Sequence, residues 1–362
     1  MDVKKRILFI VPSMRGGGSE RVLSTIVNHL NRDKFDITLV LLKKKGKYLD
    51  DIADNINLID LDIQQARYAL FKIIKLIKEE KPNIVFSTLG YLNILISIIR
   101  PFFSKNIKFI ARESSIVSVQ NKQEKYPKLF DFLYKYFYNN FDLIISQSKY
   151  MKNDLISNYS IKKSKIVVIN NPVDFDKINV TSQTEEELFD KTKTNILAVG
   201  RLNPVKDFAT LIEMVSKLDE KYHLTILGEG EERENLLSLI DSLKLNERAS
   251  LIGFQSNPYK YMNQADMLVL TSKYEGFPNV LLETNACGTP VVAFDCPGGT
   301  GEIVEDGLNG FLVQCGDINE LVISIKKATN YGWSKEKIII KTKERYKIEN
   351  VIDKYESCIN GI

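Results

Sequence analysis

The chain is short of the residues that bind metals or form covalent cross-links. Its 362 residues include two histidines, His29 and His223, and four cysteines, none of them in a C-x-x-C pair. Zinc sites use closely spaced cysteines and histidines, and small secreted folds use many disulfides, so the sequence predicts neither. We expect reduced thiols, a cytoplasmic protein and no metal site.

Long hydrophobic runs are missing as well. The nearest candidate, residues 92–103, is interrupted by Arg100 and Pro101, whereas a bilayer-spanning helix needs about 20 apolar residues. The apolar run at the N-terminus stops at Pro12, which predicts a first β-strand rather than a signal peptide. We therefore expect no membrane-spanning segment, although peripheral contact with the inner face of the cell membrane stays possible.

The chain is long enough for two domains of the α/β class. Short β-branched runs alternate with segments of helical periodicity, which predicts doubly wound, Rossmann-like parallel sheets. The alternation breaks in a polar, acidic stretch, so we divide the chain into a domain at 1–180, a linker at 181–194 and a domain at 195–345. The segment 346–362 is helical and charged. Ligands of such sheets bind beyond the carboxyl ends of the strands, which makes a cleft between the domains the expected site.

Charge is distributed unequally between the two halves. Residues 1–180 hold 30 Lys and Arg against 18 Asp and Glu, a balance of +12, and the remaining 20 and 28 give −8. A basic half favours a polyanionic or membrane-surface partner for the N-terminal domain.

A glycine-rich loop follows the first predicted strand. It reads Arg15-Gly16-Gly17-Gly18-Ser19-Glu20 and opens a predicted helix. Glycines let a backbone approach a ligand, and a helix N-terminus offers unpaired N–H groups to an anion. A plain tight turn would explain the same residues.

A second motif follows the first strand of the second domain. It begins at Gly200 and places Arg201 and Lys206 at the carboxyl end of that strand. Two cations there suit a diphosphate. The alternative is a solvated loop with scattered charges.

The third motif, residues 275–283, joins a predicted strand to a helix. Glu275 lies in the loop, Pro278 fits a first helical turn, and Glu283 lies inside the helix. A carboxylate can accept hydrogen bonds from neighbouring sugar hydroxyls, and the helix start between the two carboxylates can bind an anion. This order is typical of a nucleotide-sugar site, although an ordinary helix with an exposed Glu remains the alternative.

These motifs together resemble the retaining glycosyltransferases of family 4, which have the GT-B fold. The carboxylate pair of the third motif matches that family's signature. The loop at 16–20, the Gly200–Lys206 motif, Leu227-Gly228-Glu229-Gly230 and Asn170–Asp174 match in the family's order. The resemblance covers nearly the whole chain. It implies two Rossmann-like domains facing a cleft, with the C-terminal helix packing back on the N-terminal domain.

The resemblance also implies roles for individual residues. The N-terminal domain would bind the acceptor and the C-terminal domain the donor, a nucleotide sugar, without a metal or other cofactor. Arg201 and Lys206 would hold the diphosphate, and Glu275 would act beside them at the transferred sugar. Glu283 would hold the ribose. The remaining donor-binding residues by motif match are Gly17, Gly18, Gly228, Gly253, Phe254, Gly276, Phe277, Pro278, Asn279 and Val280.

One position departs from the family's pattern. Many relatives carry a His after the strand ending near Ala111, where this chain has Arg112 and Glu113. Arg112 or Glu113 would then face the acceptor, as would Arg15, although a surface salt bridge explains the Arg-Glu pair nearly as well.

The function implied is retaining transfer of a hexose or N-acetylhexosamine, with UDP favoured as the nucleotide. The acceptor would be a hydroxyl of a glycan, with a lipid-linked glycan favoured, in bacterial surface polysaccharide biosynthesis. A basic, aromatic helix within 121–140 fits an anionic membrane surface, or else its apolar stripe (Phe130, Leu133, Tyr134, Phe137 and Tyr138) is domain core. Two other functions stay open: a nucleotide-sugar epimerase of the same fold and a non-catalytic nucleotide-sugar-binding subunit. No nucleic-acid-binding motif is present.

Overall fold

The computed structural model describes residues 4–15, 17–63 and 66–362. Gly16, which the sequence placed in the glycine loop, lies outside these residues. The described chain forms two compact units, one of Met1–Pro172 with Ile348–Ile362 and one of Val173–Lys347. Each unit is built on its own parallel sheet, as the alternating pattern predicted.

The first unit contains a seven-stranded parallel sheet in the order β3-β2-β1-β4-β5-β6-β7. Its strands are β1 (Lys5–Val11), β2 (Phe35–Leu41), β3 (Asn57–Asp60), β4 (Ile84–Thr88), β5 (Lys108–Arg112), β6 (Leu143–Ser146) and β7 (Ile166–Val168).

Helices connect these strands. They are α1 (Gly18–His29), α2 (Ala66–Glu80), α3 (Gly90–Ile99), α4 (Val117–Lys122), α5 (Pro127–Phe137), α6 (Lys149–Tyr159) and, at the C-terminus, α15 (Ile348–Asn360). Single 3-10 turns span Lys47–Leu49, Arg100–Phe102, Tyr138–Asn140 and Lys163–Lys165.

Alternate strand residues of the first sheet pack into two separate cores. Leu8 and Phe109 pack with α2, α3 and α5 on one face, while Phe9 and Ile110 pack with α1 on the other. Helix α15 belongs to the second of these cores, to which it contributes Tyr355. The continuous apolar runs of these strands arise because both faces of the sheet are covered.

The second unit contains a six-stranded parallel sheet in the order β10-β9-β8-β11-β12-β13. Its strands are β8 (Thr194–Val199), β9 (Tyr222–Leu227), β10 (Ala249–Leu251), β11 (Met267–Leu270), β12 (Val291–Asp295) and β13 (Gly310–Gln314). Its helices are α7 (Phe175–Thr181), α8 (Phe208–Ser216), α9 (Arg233–Ser242), α10 (Tyr259–Gln264), α11 (Asn279–Ala286), α12 (Thr300–Ile303), α13 (Ile318–Thr329) and α14 (Lys335–Tyr346).

The boundary between the units differs from the sequence division. The first unit ends at Pro172, and residues 181–194, read as a linker, pack on the second unit. The Leu188 amide donates to Gln264 Oε1 at 3.0 Å, and Phe189 packs on a buried cluster that includes Leu268. A few apolar side chains hold the acidic stretch against the second unit. Because the stretch is polar overall, its sequence pattern did not indicate this packing.

Both sheets reverse strand order beside their first strand. In the second unit β8 lies between β9 and β11, and in the first unit β1 lies between β2 and β4. Loops that leave such neighbouring strands in opposite directions open a crevice at the carboxyl edge, which is the usual ligand site of this architecture. No helix within the described ranges is long and apolar enough to cross a bilayer.

Candidate functional site

The loop after β8 fixes Lys206 over the end of that strand. A Cβ atom added to Gly200 would lie 3.3 Å from Lys206 Cε and 3.3 Å from Phe208 Cζ. Glycine at position 200 therefore leaves room for the stem of the lysine. The Lys206 amide donates to the Asn203 carbonyl at 3.1 Å, which closes the loop.

Direct hydrogen bonds join this loop to the one that follows β11. Thr271 Oγ1 donates to the carbonyls of Lys206 at 3.2 Å and Asp207 at 3.0 Å. The Lys273 amide donates to the Val205 carbonyl at 2.8 Å. Since β8 and β11 are neighbours at the point of strand reversal, these bonds hold both loops in the expected ligand crevice of the second unit.

Lys206 and Glu275 form an ion pair at this position. Lys206 Nζ lies 2.5 Å from Glu275 Oε1, and Ser272 Oγ donates to the same oxygen at 2.6 Å. The side chains are 21% and 13% exposed, so solvent screens the pair only partly. An ammonium has three N–H donors, which allows Lys206 to keep Glu275 and also bind a phosphate oxygen. The sequence assigned these residues to one site, and the structure brings them together.

The Glu275 backbone is held by the loop after β12. Its amide donates to the Pro297 carbonyl at 3.0 Å, and Glu275 forms an isolated parallel bridge with Gly298. Gly298 has φ +133°, and a Cβ there would lie 1.5 Å from the Glu275 carbonyl oxygen. Sequence reasoning missed this support, although a Pro-Gly-Gly run one residue after a strand is a signal that could have found it.

Helix α11 begins at Asn279, directly after Pro278. Phe277 is buried beneath the helix start, with its ring centroid 5.9 Å from that of Tyr346, while Gly276, Asn279 and Val280 are partly exposed. The first turn of α11 contains no acidic residue, so no carboxylate of that turn competes for its N–H groups. Partly buried Glu283 is the helix's fifth residue.

Gly228 and Gly253 bring the loops after β9 and β10 against the β8 loop. Gly228 has φ +147°, and a Cβ there would lie 1.8 Å from the Gly200 carbonyl oxygen. The Gly228 amide donates to the Gly253 carbonyl at 2.9 Å. Phe254, the residue after Gly253, is exposed. The loops at this edge of the sheet therefore place an aromatic ring beside closely packed backbone.

Arg201 lies next to Gly200 and is exposed. Its guanidinium has no hydrogen bond or ion pair with any residue in the described ranges. An exposed cation in the same loop as Lys206 suits an anionic ligand.

The two buried cysteines of this unit, Cys287 and Cys296, are unsuited to nucleophilic catalysis. Burial raises the pKa of both the Cys287 and the Cys296 thiol to about 12, with smaller contributions from Glu283 and Glu275, respectively. The thiolate is the nucleophilic form, so both remain protonated and inert near neutral pH.

The glycine loop belongs to the first unit. Gly17 is the N-cap of α1 and Gly18 its first residue, while Arg15 before them is exposed. A Cβ at Gly17 would lie 2.5 Å from Glu20 Oε2. An anion bound at this helix start would therefore meet the Glu20 carboxylate as well as the N–H groups.

Arg112 ends β5 and is fully buried. Its guanidinium donates to Tyr355 Oη at 3.1 Å, Asn171 Oδ1 at 2.8 Å and Ser19 Oγ at 3.4 Å. With the Gln147 amide turned to present its oxygen, Nη1 and Nη2 also donate to it at 3.2 and 2.7 Å. The expected surface salt bridge is therefore wrong, because Arg112 meets only neutral oxygens among the described residues and joins α1 to α15.

Glu113 is also fully buried, on the opposite face of the sheet. Its Oε1 accepts from Asn93 Nδ2 at 3.0 Å, Tyr134 Oη at 3.3 Å and the hydroxyl of Tyr138. Oε2 is buried with no partner in the described chain. Burial is the main cause that raises the pKa of Glu113 to about 7, so near neutral pH it is partly protonated. With no exposed surface in this state, neither Arg112 nor Glu113 can meet an acceptor directly.

No group of three or more His, Cys, Asp or Glu side chains that could hold a metal occurs within 4–15, 17–63 and 66–362. The candidate site in the second unit comprises the cations Lys206 and Arg201, the carboxylates Glu275 and Glu283, the start of α11 and the glycine loops. Such a set can bind a diphosphate and the hydroxyls attached to it.

Comparison with known proteins identifies the family. The family model for Glycosyltransferase Family 4 matches residues 16–177, and the model for Glycosyl transferases group 1 matches residues 179–345. One relative is N-acetylgalactosamine-N,N'-diacetylbacillosaminyl-diphospho-undecaprenol 4-alpha-N-acetylgalactosaminyltransferase of Campylobacter jejuni, 32% identical over 89% of each chain. Another is the amylovoran biosynthesis glycosyltransferase AmsD of Erwinia amylovora, 26% identical over 91% of this chain and 93% of that one.

Solved structures show the same fold. HepE of Anabaena in complex with UDP aligns with TM-score 0.83 and 20% identity, over 99% of this chain and 100% of that one. Sucrose-phosphate synthase of Thermosynechococcus elongatus aligns with TM-score 0.83 and 17% identity, over 99% of each chain. The sequence-based resemblance is confirmed, and the chain belongs to glycosyltransferase family 4, a glycosyltransferase with the GT-B fold.

Proposed function

We propose that this glycosyltransferase moves a hexose or N-acetylhexosamine from a nucleotide sugar, with UDP favoured, to a hydroxyl of a lipid-linked glycan. The setting is bacterial surface polysaccharide biosynthesis. The observation that carries the proposal is the Lys206–Glu275 pair, held at the point of strand reversal beside the start of α11.

The donor fits the second unit from phosphate to base. Lys206 and exposed Arg201 bind the diphosphate, together with the backbone at the start of α11. Glu275 meets the transferred sugar, and Glu283 accepts hydrogen bonds from the ribose hydroxyls. The Gly253–Phe254 edge lies under the base.

The transfer retains the configuration of the anomeric carbon. The acceptor oxygen attacks on the face from which the diphosphate departs, the bond from the anomeric carbon to the phosphate oxygen breaks, and the hydroxyl proton passes to that phosphate oxygen. Lys206, Arg201 and the α11 start stabilise the charge that develops on the departing diphosphate. This route needs neither a metal ion nor an enzyme nucleophile.

The first unit binds the acceptor. The Campylobacter jejuni relative is named for a diphospho-undecaprenol acceptor and the Erwinia amylovora relative for amylovoran biosynthesis. Both names support a lipid-linked or polysaccharide acceptor here. The enzyme would then work from the cytoplasm at the inner face of the membrane, in contact with anionic lipid, and the +12 balance of residues 1–180 suits that surface.

Donor binding tests the assignment of Lys206. Thermal shift with UDP, GDP and their sugars compares wild type with Lys206→Ala, and Lys273→Ala is the matched control because Lys273 is an exposed lysine of the neighbouring loop. A ligand at about 100 times its Kd adds about 2.7 kcal/mol to stability. We expect a uridine nucleotide to stabilise wild type and the control, and Lys206→Ala to need at least tenfold more ligand. Equal titrations of all three proteins would refute the site.

A further inference from the structure

Helix α5 carries two apolar faces, one of which points outward. The inner face holds Tyr134 in the core, with Phe130 and Leu133 packed against it. The stripe singled out from the sequence therefore belongs to the core, as its alternative interpretation stated, except for the partly exposed Phe137. The outer face is a different set: Leu129 is 51%, Phe132 50% and Tyr136 62% exposed.

These three residues and Tyr126, which precedes the helix, form what we call the outer stripe. Leu129, Phe132 and Tyr136 follow helical spacing of three and four, so they share one face. The Phe132 and Tyr136 rings lie 4.5 Å apart between centroids, which makes a continuous aromatic surface. Large side chains clustered on an exposed face mark an interaction site rather than scattered surface apolar residues.

Positive charge surrounds the outer stripe. The flanking exposed lysines are Lys122, Lys125, Lys128 and Lys135. The nearby Asp131 carboxylate is engaged, since it accepts from Tyr159 Oη at 2.8 Å and Asn121 Nδ2 at 2.9 Å. Glu124, which is partly exposed, and Asp131 keep their negative charges, but the four lysines outnumber these two carboxylates, so the face has a net positive charge.

Helix α2 belongs to the same layer of helices. It packs against α3, which in turn packs against α5, and all three helices cover one face of the sheet. Phe71 of α2 is 82% exposed, and Tyr68, Lys75 and Lys78 are exposed beside it. Helices α2 and α5, with α3 between them, thus each present exposed aromatic rings and lysines.

We propose that the outer stripe docks the protein on an anionic lipid bilayer, with its rings in the headgroup region and the lysines on the anionic headgroups. Charge complementarity selects this occupant: aromatic and leucine side chains ringed by lysine suit an anionic interface. This deepens the proposed function, on which it rests, because a lipid-linked acceptor lies in that same bilayer.

The orientation of the stripe is fixed from inside. Tyr134 on the inner face donates to Glu113, and a Cβ at Gly90 would lie 2.5 Å from its hydroxyl. Substitutions on the outer face leave these contacts untouched. Loss of membrane binding in such variants therefore reports on the surface rather than on folding.

Vesicle flotation of the full chain tests the proposal. Vesicles of phosphatidylcholine alone are compared with vesicles containing about one quarter phosphatidylglycerol, at about 0.15 M salt, where the Debye length is about 8 Å. The apolar variant is Leu129→Ser/Phe132→Ser/Tyr136→Ser, and the charge variant is Lys125→Gln/Lys128→Gln/Lys135→Gln. Ile323→Ser/Ile340→Ser is the matched control, because both isoleucines are exposed in the second unit.

Wild type and the control are expected to float with anionic vesicles only. At about 1 kcal/mol per basic residue, the charge variant should bind about a hundredfold more weakly, and the apolar variant should lose at least tenfold. Absence of wild-type flotation, or equal flotation of all variants, would overturn the proposal. A dimer in light scattering that only the apolar variant disrupts would assign the stripe to a second copy instead.

The proposed function can fail separately. If the enzyme transfers sugar to a short-chain, water-soluble acceptor but does not float with vesicles, the membrane-docking proposal is wrong and the proposed enzyme activity stands. If it floats with vesicles but transfers sugar to no acceptor, the proposed activity is wrong and the membrane-docking proposal stands.

Discussion

Replacement of Glu113 by Gln should stabilise the first unit at alkaline pH and leave it nearly unchanged in acid. All the donors seen on this carboxyl group go to Oε1, while Oε2 is buried without a partner in the described chain. A negative charge there is poorly compensated, and burial raises the pKa from 4.5 to about 7. The amide of Gln keeps the accepting oxygen and carries no charge.

The magnitude follows from proton linkage. Between pH 4.5 and about 7 the folded protein holds a proton on Glu113 that the unfolded chain releases, so stability is full below pH 4.5 and falls as pH rises through 7. A shift of this size at 1.36 kcal/mol per unit corresponds to about 3 kcal/mol. Glu113→Gln should therefore match wild type at pH 4 and exceed it by up to about 3 kcal/mol at pH 8.5.

Urea unfolding at both pH values measures this difference. Trp333, the single tryptophan, lies in the second unit and reports that unit by fluorescence, while circular dichroism reports both. Unfolding of the first unit is therefore measured as the change in circular dichroism that is not accompanied by a change in tryptophan fluorescence. Glu349→Gln, an exposed site on α15 in the same unit, removes the same charge and is the control. If Glu113→Gln is less stable than wild type at pH 8.5, or if its difference from wild type does not change with pH, the reasoning is refuted.

Three further predictions concern the donor site. Arg201→Ala or Lys206→Ala should lower turnover about 10²–10³-fold with the correct donor, measured as UDP release, and near-normal rates would remove them from the chemistry. Gly298→Ala should displace Glu275, because its Cβ would lie 1.5 Å from the Glu275 carbonyl oxygen; a loss of activity larger than the loss of thermal stability is expected, and normal turnover would contradict that support. Treatment with EDTA followed by gel filtration should leave the rate unchanged, whereas inactivation restored by a divalent ion would show that a metal is needed.

Much of the fold could be predicted because its elements are local. Buried strands read as short apolar runs, such as Lys5–Val11 and Met267–Leu270, and the loops after them carried the site motifs. Parallel sheets gather strand ends at one edge, so Lys206 and Glu275 could be assigned to one site without knowledge of their contact.

The contacts of Arg112 could not be predicted in this way. Its partners Asn171 and Tyr355 lie 59 and 243 residues farther along the chain, and nothing in the Arg-Glu dipeptide indicates them. Glu113 is bound from α3 and α5, so its burial also depends on tertiary packing. The outer stripe escaped notice because the core stripe of the same helix has equal periodicity and stronger apolar character.

Transfer to a lipid acceptor tests the central claim most directly. The purified enzyme is incubated with a labelled UDP-sugar, with and without a diphospho-polyprenol-linked glycan, and the lipid-extracted product is examined by NMR. We predict that UDP release and lipid labelling both require the acceptor, and that an α-linked donor gives an α-linked product. A β-linked product, sugar isomerisation without acceptor, or donor binding with no reaction would contradict the account, the last two in favour of an epimerase or a binding subunit.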